Sequence, residues 1–151
     1  MSTIDERLRG LDIALPDVMP PVVDGYVPAF APFVRSGDQI HLSGRLGKKD
    51  GKPLFGKVGE EISLEQGKVA ARGVAIELLA VLKAAVGDLD NVRRIVKLFV
   101  IDNGAPNFTE LTALRMGHLS YLSKCSASGA SMRAVPLVWR RCHSAHASKL
   151  T

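Results

Sequence analysis

The clearest alternation of apolar and polar positions in this chain lies between Leu64 and Val86. There Val69, Val74, Ile76, Leu78, Val81, Leu82 and Ala85 form a broad stripe that predicts one long helix laid on a sheet. Ser63-Leu64-Glu65-Gln66 is a capping box at its start, and Gly87 stands where a left-handed C-cap is wanted. Upstream, residues 4–10 predict a short helix capped by Thr3. Pro16, Pro20 and Pro21 then impose an extended or looped lead-in, because proline removes a donor and restricts the residue before it. Two β-type runs follow, Phe30 to Arg35 and Gln39 to Ser43, joined by Ser36-Gly37-Asp38, which has the chemistry of a hairpin turn. Period-two alternation places Ile40 and Leu42 on one face and Gln39, His41 and Ser43 on the other.

A polar, glycine-rich excursion from Gly44 to Glu61 has Asp50-Gly51 as its expected tight turn. After the long helix, Val92 to Ile101 predicts a strand, nearly continuous in apolar character after Arg94. Beyond the Gly104-Ala105-Pro106 break, Asn107 or Thr109 caps an expected second helix that runs to about Ser123, and Ala134 to Trp139 is a last β-like run. Hairpin, helix, strand, helix, strand is the order of an α+β fold, with helices on one face of a mixed sheet.

Length and composition fit a single domain of ordinary make-up: 151 residues, 46% hydrophobic, 23% charged and 5% aromatic. Its parts are a lead-in over 1–25, a body over 26–113 and an atypical tail over 114–151. The longest apolar stretch is interrupted by Arg72, Glu77 and Lys83, well short of the ~18–20 uncharged residues of a membrane span. MSTIDERLRG carries acids and no apolar run, unlike a secretory signal, so no membrane association and a cytoplasmic location are expected. Cys125 and Cys142 are then expected as free thiols.

Charge changes this picture. All 15 Asp and Glu lie at or before Glu110. The tail carries Arg115, Lys124, Arg133, Arg140, Arg141 and Lys149, so the net +5 of the chain belongs to it. Trp139-Arg140-Arg141 with Lys124 and Arg133 is too sparse a patch to predict nucleic-acid binding. Cys125, Cys142, His143 and His146 match no common zinc spacing, and neither phosphate-loop pattern occurs between Gly44 and Gly59. No metal or cofactor is expected. Asp102 and Glu110 have no His or Ser partner from which a hydrolytic triad can be read.

At Gln39-Ile40-His41-Leu42-Ser43-Gly44-Arg45 the chain resembles the RidA/YjgF family, known also as endoribonuclease L-PSP. The likeness continues through Gly56-Lys57-Val58-Gly59-Glu60-Glu61, Glu65 to Arg72, Leu82 to Asp90, Val96-Lys97-Leu98 and Pro106-Asn107-Phe108-Thr109. It covers most of residues 4–113 and is nearest the longer-chain branch. The resemblance implies a chorismate-mutase-like fold with two main helices packed on one face of the sheet, and a homotrimer with ligand clefts between subunits. It also implies cofactor-free hydrolysis of reactive enamines and imines, of the 2-iminobutanoate/2-aminoacrylate deaminase type. The alternatives are a non-catalytic regulatory trimer that binds a small molecule and, more distantly, an RNA-acting protein of endoribonuclease type.

Carried over by position, Ser43 and Gly44 match the cleft-lining Ser-Gly, and Arg45 replaces the usual Gln. Phe30 stands in the place of a Tyr, for which Tyr26 is the weaker equivalent. Arg133 is the expected catalytic Arg, whose fork would hold the ligand carboxylate. Three further departures from the family fall after Ala113. Its Asn falls at Met116, the Arg motif is shortened to Arg133-Ala134-Val135, and the Glu of the last strand has no counterpart.

These departures coincide with the charge break, and a shifted reading frame explains both. Leu114 to Ser120 is encodable as CTG CGA ATG GGG CAT CTG AGC, which regroups after two bases to Ala-Asn-Gly-Ala-Ser-Glu and restores the Asn. The same displacement of Ser131 to Val135, as AGC ATG CGC GCT GTG, gives His-Ala-Arg-Cys, close to the family's His-Ala-Arg-Ser. Resequencing the coding region around codons 110–116 is expected to reveal an inserted or missing base; an intact frame through Thr151 would overturn the slip.

Overall fold

The computed structural model describes residues 3–18, 30–110 and 112–114, and the backbone of 137–141. The first helix, α1 (Ile4–Gly10), is closed by a reciprocal capping box: Glu6 N–H donates to Thr3 Oγ1 at 3.2 Å, and Thr3 N–H donates to Glu6 Oε2 at 2.9 Å. Four-residue spacing then puts Ile4 and Leu8 on one buried face. The long helix α2 (Leu64–Val86) starts at the same device, with Ser63 as cap and Gln66 reaching back to it. It ends at Gly87, whose φ of 77° is left-handed in sign but whose ψ of −51° departs from the expected αL cap.

The buried face of α2 is Gly67, Ala70, Ala71, Ala75, Leu79, Ala80 and Val81. This corrects the expected stripe at Val69, which is 67% exposed. Val69 lies two residues from Ala71, about 200° around the helix at 3.6 residues per turn. Small residues dominate the inward side and let neighbouring chain approach closely. Ala75 and Leu79 meet Ile4, Leu8 and Ile13 from the α1 side and Leu89 from a single 3₁₀ turn (Leu89–Asn91), which forms the larger core. Ile4 N–H also donates to Asp90 Oδ1 at 3.2 Å, and Lys83 Nζ meets Asp5 Oδ2 at 2.6 Å. A smaller core joins Val58, Ile62 and Leu114, with Leu54, Leu64 and Phe108 around it.

Among the described residues, strands pair in three two-stranded units. β1 (Phe33–Ser36) and β2 (Gln39–Leu42) form an antiparallel hairpin with Ser36 opposite Gln39, so Gly37-Asp38 is its two-residue turn. The first strand begins at Phe33, later than the expected Phe30, because Pro32 has no N–H to give to the ladder. β3 (Lys48–Lys49) and β4 (Lys52–Pro53) form a second hairpin, and Asp50 and Gly51 take φ of 51° and 78°. These two positive values fit the tight turn expected there. β5 (Leu98–Asp102) pairs in parallel with β6 (Leu137–Arg141). β5 begins six residues later than expected: the 3₁₀ turn takes up Leu89–Asn91, and Val92 and Ile95 pack on the larger core before the ladder starts. β6 runs Leu137–Arg141, where Ala134 to Trp139 was expected.

Residues 112–114 are helical, and Leu114 N–H bonds to Glu110 O at 3.1 Å. The rest of the expected second helix lies outside the described residues, as do Cys125, Cys142, His143 and His146. No helix among the described residues is long and apolar enough to cross a membrane.

Leu89 is fully enclosed where α1, α2 and the 3₁₀ turn meet. Leu89→Ala is expected to lower unfolding free energy in urea by about 3 kcal/mol, the usual cost of a leucine-sized void in a packed core.

Candidate functional site

The β1–β2 hairpin positions the candidate residues. Its ladder continues one step past Leu42, where Ser43 N–H donates to Pro32 O at 3.0 Å. The Ser43 hydroxyl donates to Ala31 O at 2.6 Å, tying the serine to the residue beside Phe30. With its proton given to that carbonyl, the Ser43 oxygen keeps its lone pairs for a ligand donor. Gly44 follows, exposed, with no heavy atom within 4 Å of where a Cβ would stand, so its backbone is open to approach. Phe30 is 43% exposed. Arg45 is half-buried, with Nε and Nη2 shielded from solvent. Phe30, Ser43, Gly44 and Arg45 thus lie on two chain segments joined by the Ser43 bonds. Arg133, Met116 and Tyr26 lie outside the described residues.

A second feature is absent from the sequence-based expectations. A cavity of about 430 Å³ opens between the Gly59-Glu60 turn and residues 105–110, lined also by Asn107, Phe108, Thr109 and Glu110. Two chain crossings build it. Val58 N–H donates to Asn103 O and Ala105 N–H to Val58 O, both at 2.9 Å. The Asn103 side-chain amide donates to Gly56 O at 2.9 Å. Gly59 has a φ of 91°, and a Cβ there would lie 2.5 Å from Phe108 Cδ2, so only glycine fits. Its lining comes from Gly59 and Glu60, within Gly56 to Glu61, and from 105–110, which include Pro106 to Thr109; each of these two motifs resembles the family separately in sequence. Their facing each other is a tertiary fact with no local signal.

The turn beneath this cavity is closed by Glu61. Lys57 N–H donates to Glu61 Oε2 at 2.7 Å. That backbone donor and Glu61's own N–H hold the Glu61 carboxyl below its ordinary pKa, with a smaller contribution from the Lys57 charge.

Helices packed beside paired strands, in an arrangement that superposes on the two solved structures given below, place the chain in the chorismate-mutase-like α+β class. The chain belongs to the RidA/YjgF family. Protein TCP17 of Trypanosoma cruzi is 38% identical to it over 112 residues, 74% of this chain and 67% of that protein. A Shewanella oneidensis MR-1 protein named provisionally as an endoribonuclease superposes with a TM-score of 0.76 at 23% identity, over 91% of this chain and 87% of that one. Protein Atu1372 of Agrobacterium tumefaciens, of unknown function, superposes at 0.73 with 28% identity, over 91% and 82%. No family model matches the sequence.

Because the folded Glu61 titrates below its unfolded value, its contribution is present above the ordinary carboxylate range and is lost as pH falls through the folded value. Glu61 is expected to show a depressed midpoint in a carboxyl NMR titration. Glu61→Gln should flatten the acid limb of stability between the two values; an unshifted Glu61 midpoint would refute the proposed cause.

Proposed function

We propose that this chain is a cofactor-free hydrolase of small enamines and imines that bear a carboxylate, working as a homotrimer with its clefts between subunits. The observation that carries this is the Ser43-Gly44 step: a serine oxygen fixed by two hydrogen bonds beside a glycine whose backbone is unobstructed. That pairing suits a planar imine held edge-on by main-chain groups. In the proposed reaction the enamine tautomerises to an imine and water adds to its carbon. The C–N bond then breaks, leaving a keto acid and ammonia. Water supplies the oxygen and no electrons are gained or lost.

Arg133 has the role of holding the carboxylate by its fork, and Arg45 adds a second cation next to the Ser-Gly step. Apolar side chains on the outer faces of the strands support self-association: Val34 on β1 and Phe99 and Ile101 on β5 are 57%, 49% and 60% exposed. Apolar side chains left exposed on strands in this way are the kind of surface that association covers. Phe30, which lacks the hydroxyl of a Tyr, favours a second reading: a trimer that binds the same carboxylate ligand without turnover.

Ammonia release from 2-aminoacrylate separates the two. The hydrolase should exceed its Arg133→Ala variant by at least about tenfold, the scale of one charge-assisted bidentate contact. Turnover no higher than that variant's would sink the enzyme and leave the binding trimer. Sedimentation at the 16.2 kDa mass of one chain would exclude both.

A further inference from the structure

The β3–β4 hairpin sets Lys49 directly opposite Lys52. Directly paired residues of an antiparallel ladder share a face, with Cβ atoms about 5 Å apart, and like charges in that arrangement are destabilising. Both side chains are exposed, and neither has a hydrogen bond or carboxylate partner among the described residues. The neighbouring lysines are already engaged: Lys48 Nζ lies 2.8 Å from Glu77 Oε1 on α2, and Lys57 Nζ 3.3 Å from Glu60 Oε2. Asp50, in the turn between the pair, makes no ion pair with either.

The hairpin is also held in place rather than splayed. Leu54 N–H donates to Gly47 O at 2.8 Å, and a Cβ on Gly47 would lie 3.2 Å from Ala70 Cβ, so its base sits hard against α2. With Asp50 and Gly51 both at positive φ, the two ammonium stems leave a tight turn side by side. Two exposed cations facing each other, with no carboxylate paired to either among the described residues, match a ligand that carries two negative charges on neighbouring oxygens. A monoanionic carboxylate would neutralise only one of them.

The geometry points to a phosphate site at the β3–β4 tip, in which Lys49 and Lys52 clamp one phosphate dianion, free or esterified. It lies on residues apart from the Ser43-Gly44 step and does not depend on turnover there.

Thermal unfolding of the full chain tests it, in inorganic phosphate and in chloride of equal ionic strength, beside co-sedimentation with phosphatidate vesicles. In chloride, Lys49→Gln and Lys52→Gln should each raise the midpoint by about 1–2 °C by removing the repulsion. Phosphate should raise the wild-type midpoint by a similar amount and leave both variants unmoved. A phosphate-induced rise without vesicle binding assigns the site to soluble phosphate; lysine-dependent vesicle binding without that rise assigns it to a lipid headgroup. The proposal is overturned if neither variant gains stability in chloride, if the phosphate response or vesicle binding persists in both variants, or if the wild type responds to neither probe.

Discussion

The close approach of α2 to its surroundings is the constraint on which the rest of the structure depends. Alanines at 70, 71, 75 and 80 face inward, and the helix is gripped from two sides. At one end Ile4, Leu8, Ile13 and Leu89 close over Ala75 and Leu79. Towards the other, Gly47 seats the β3–β4 hairpin on Ala70, and Leu114 meets Gly67 so closely that a Cβ on Gly67 would lie 2.6 Å from Leu114 Cδ1. Larger side chains on this face would push every one of these elements outward. The lengthwise order of small residues along one helix therefore sets where the hairpins stand, and with them the Ser43-Gly44 step.

The links to α1 divide into strong and weak. Burial of Ile4 and Leu8 removes large apolar surface from water, worth roughly 1.5–3 kcal/mol per side chain before entropy is counted. The Lys83–Asp5 pair is short but more than one-third exposed on both sides, so solvent screens most of its attraction. Its use is orientation: it and the Ile4–Asp90 hydrogen bond fix the direction in which α1 lies across the end of α2.

Local devices were the legible part of this fold. The caps at Thr3 and Ser63 and the Asp50-Gly51 turn are each specified by residues within four positions of one another, and each stands where the pattern puts it. Strand starts were less legible because they depend on a partner. Pro32 can lie in an apolar run and accept from Ser43 N–H yet return no donor to the ladder, and Val92 and Ile95 have strand-like character but spend it on the core beside Leu89. Val69 shows the same limit within a helix, since a stripe broad enough to seem continuous does not say which edge is covered. At the candidate site, the Ser-Gly step was visible from its motif, whereas its anchor, the carbonyl of Ala31, is set by register.

A strand in the tail is indifferent to the reading frame. β6 can pair with β5 in parallel whatever its side chains are, because a ladder is made by main-chain groups that every residue except proline carries. A run such as Leu137-Val138-Trp139 satisfies the pattern of an apolar strand equally in a native or a displaced frame. Strand formation is thus weak evidence for a genuine tail. The charge asymmetry is more telling than the strand: fourteen Lys and Arg stand against 15 Asp and Glu up to Glu110, and six further cations follow without one acid. Displaced codons account for the loss of acids and the loss of the Asn, Arg-motif and Glu positions together, whereas divergence of the tail requires each of these losses separately.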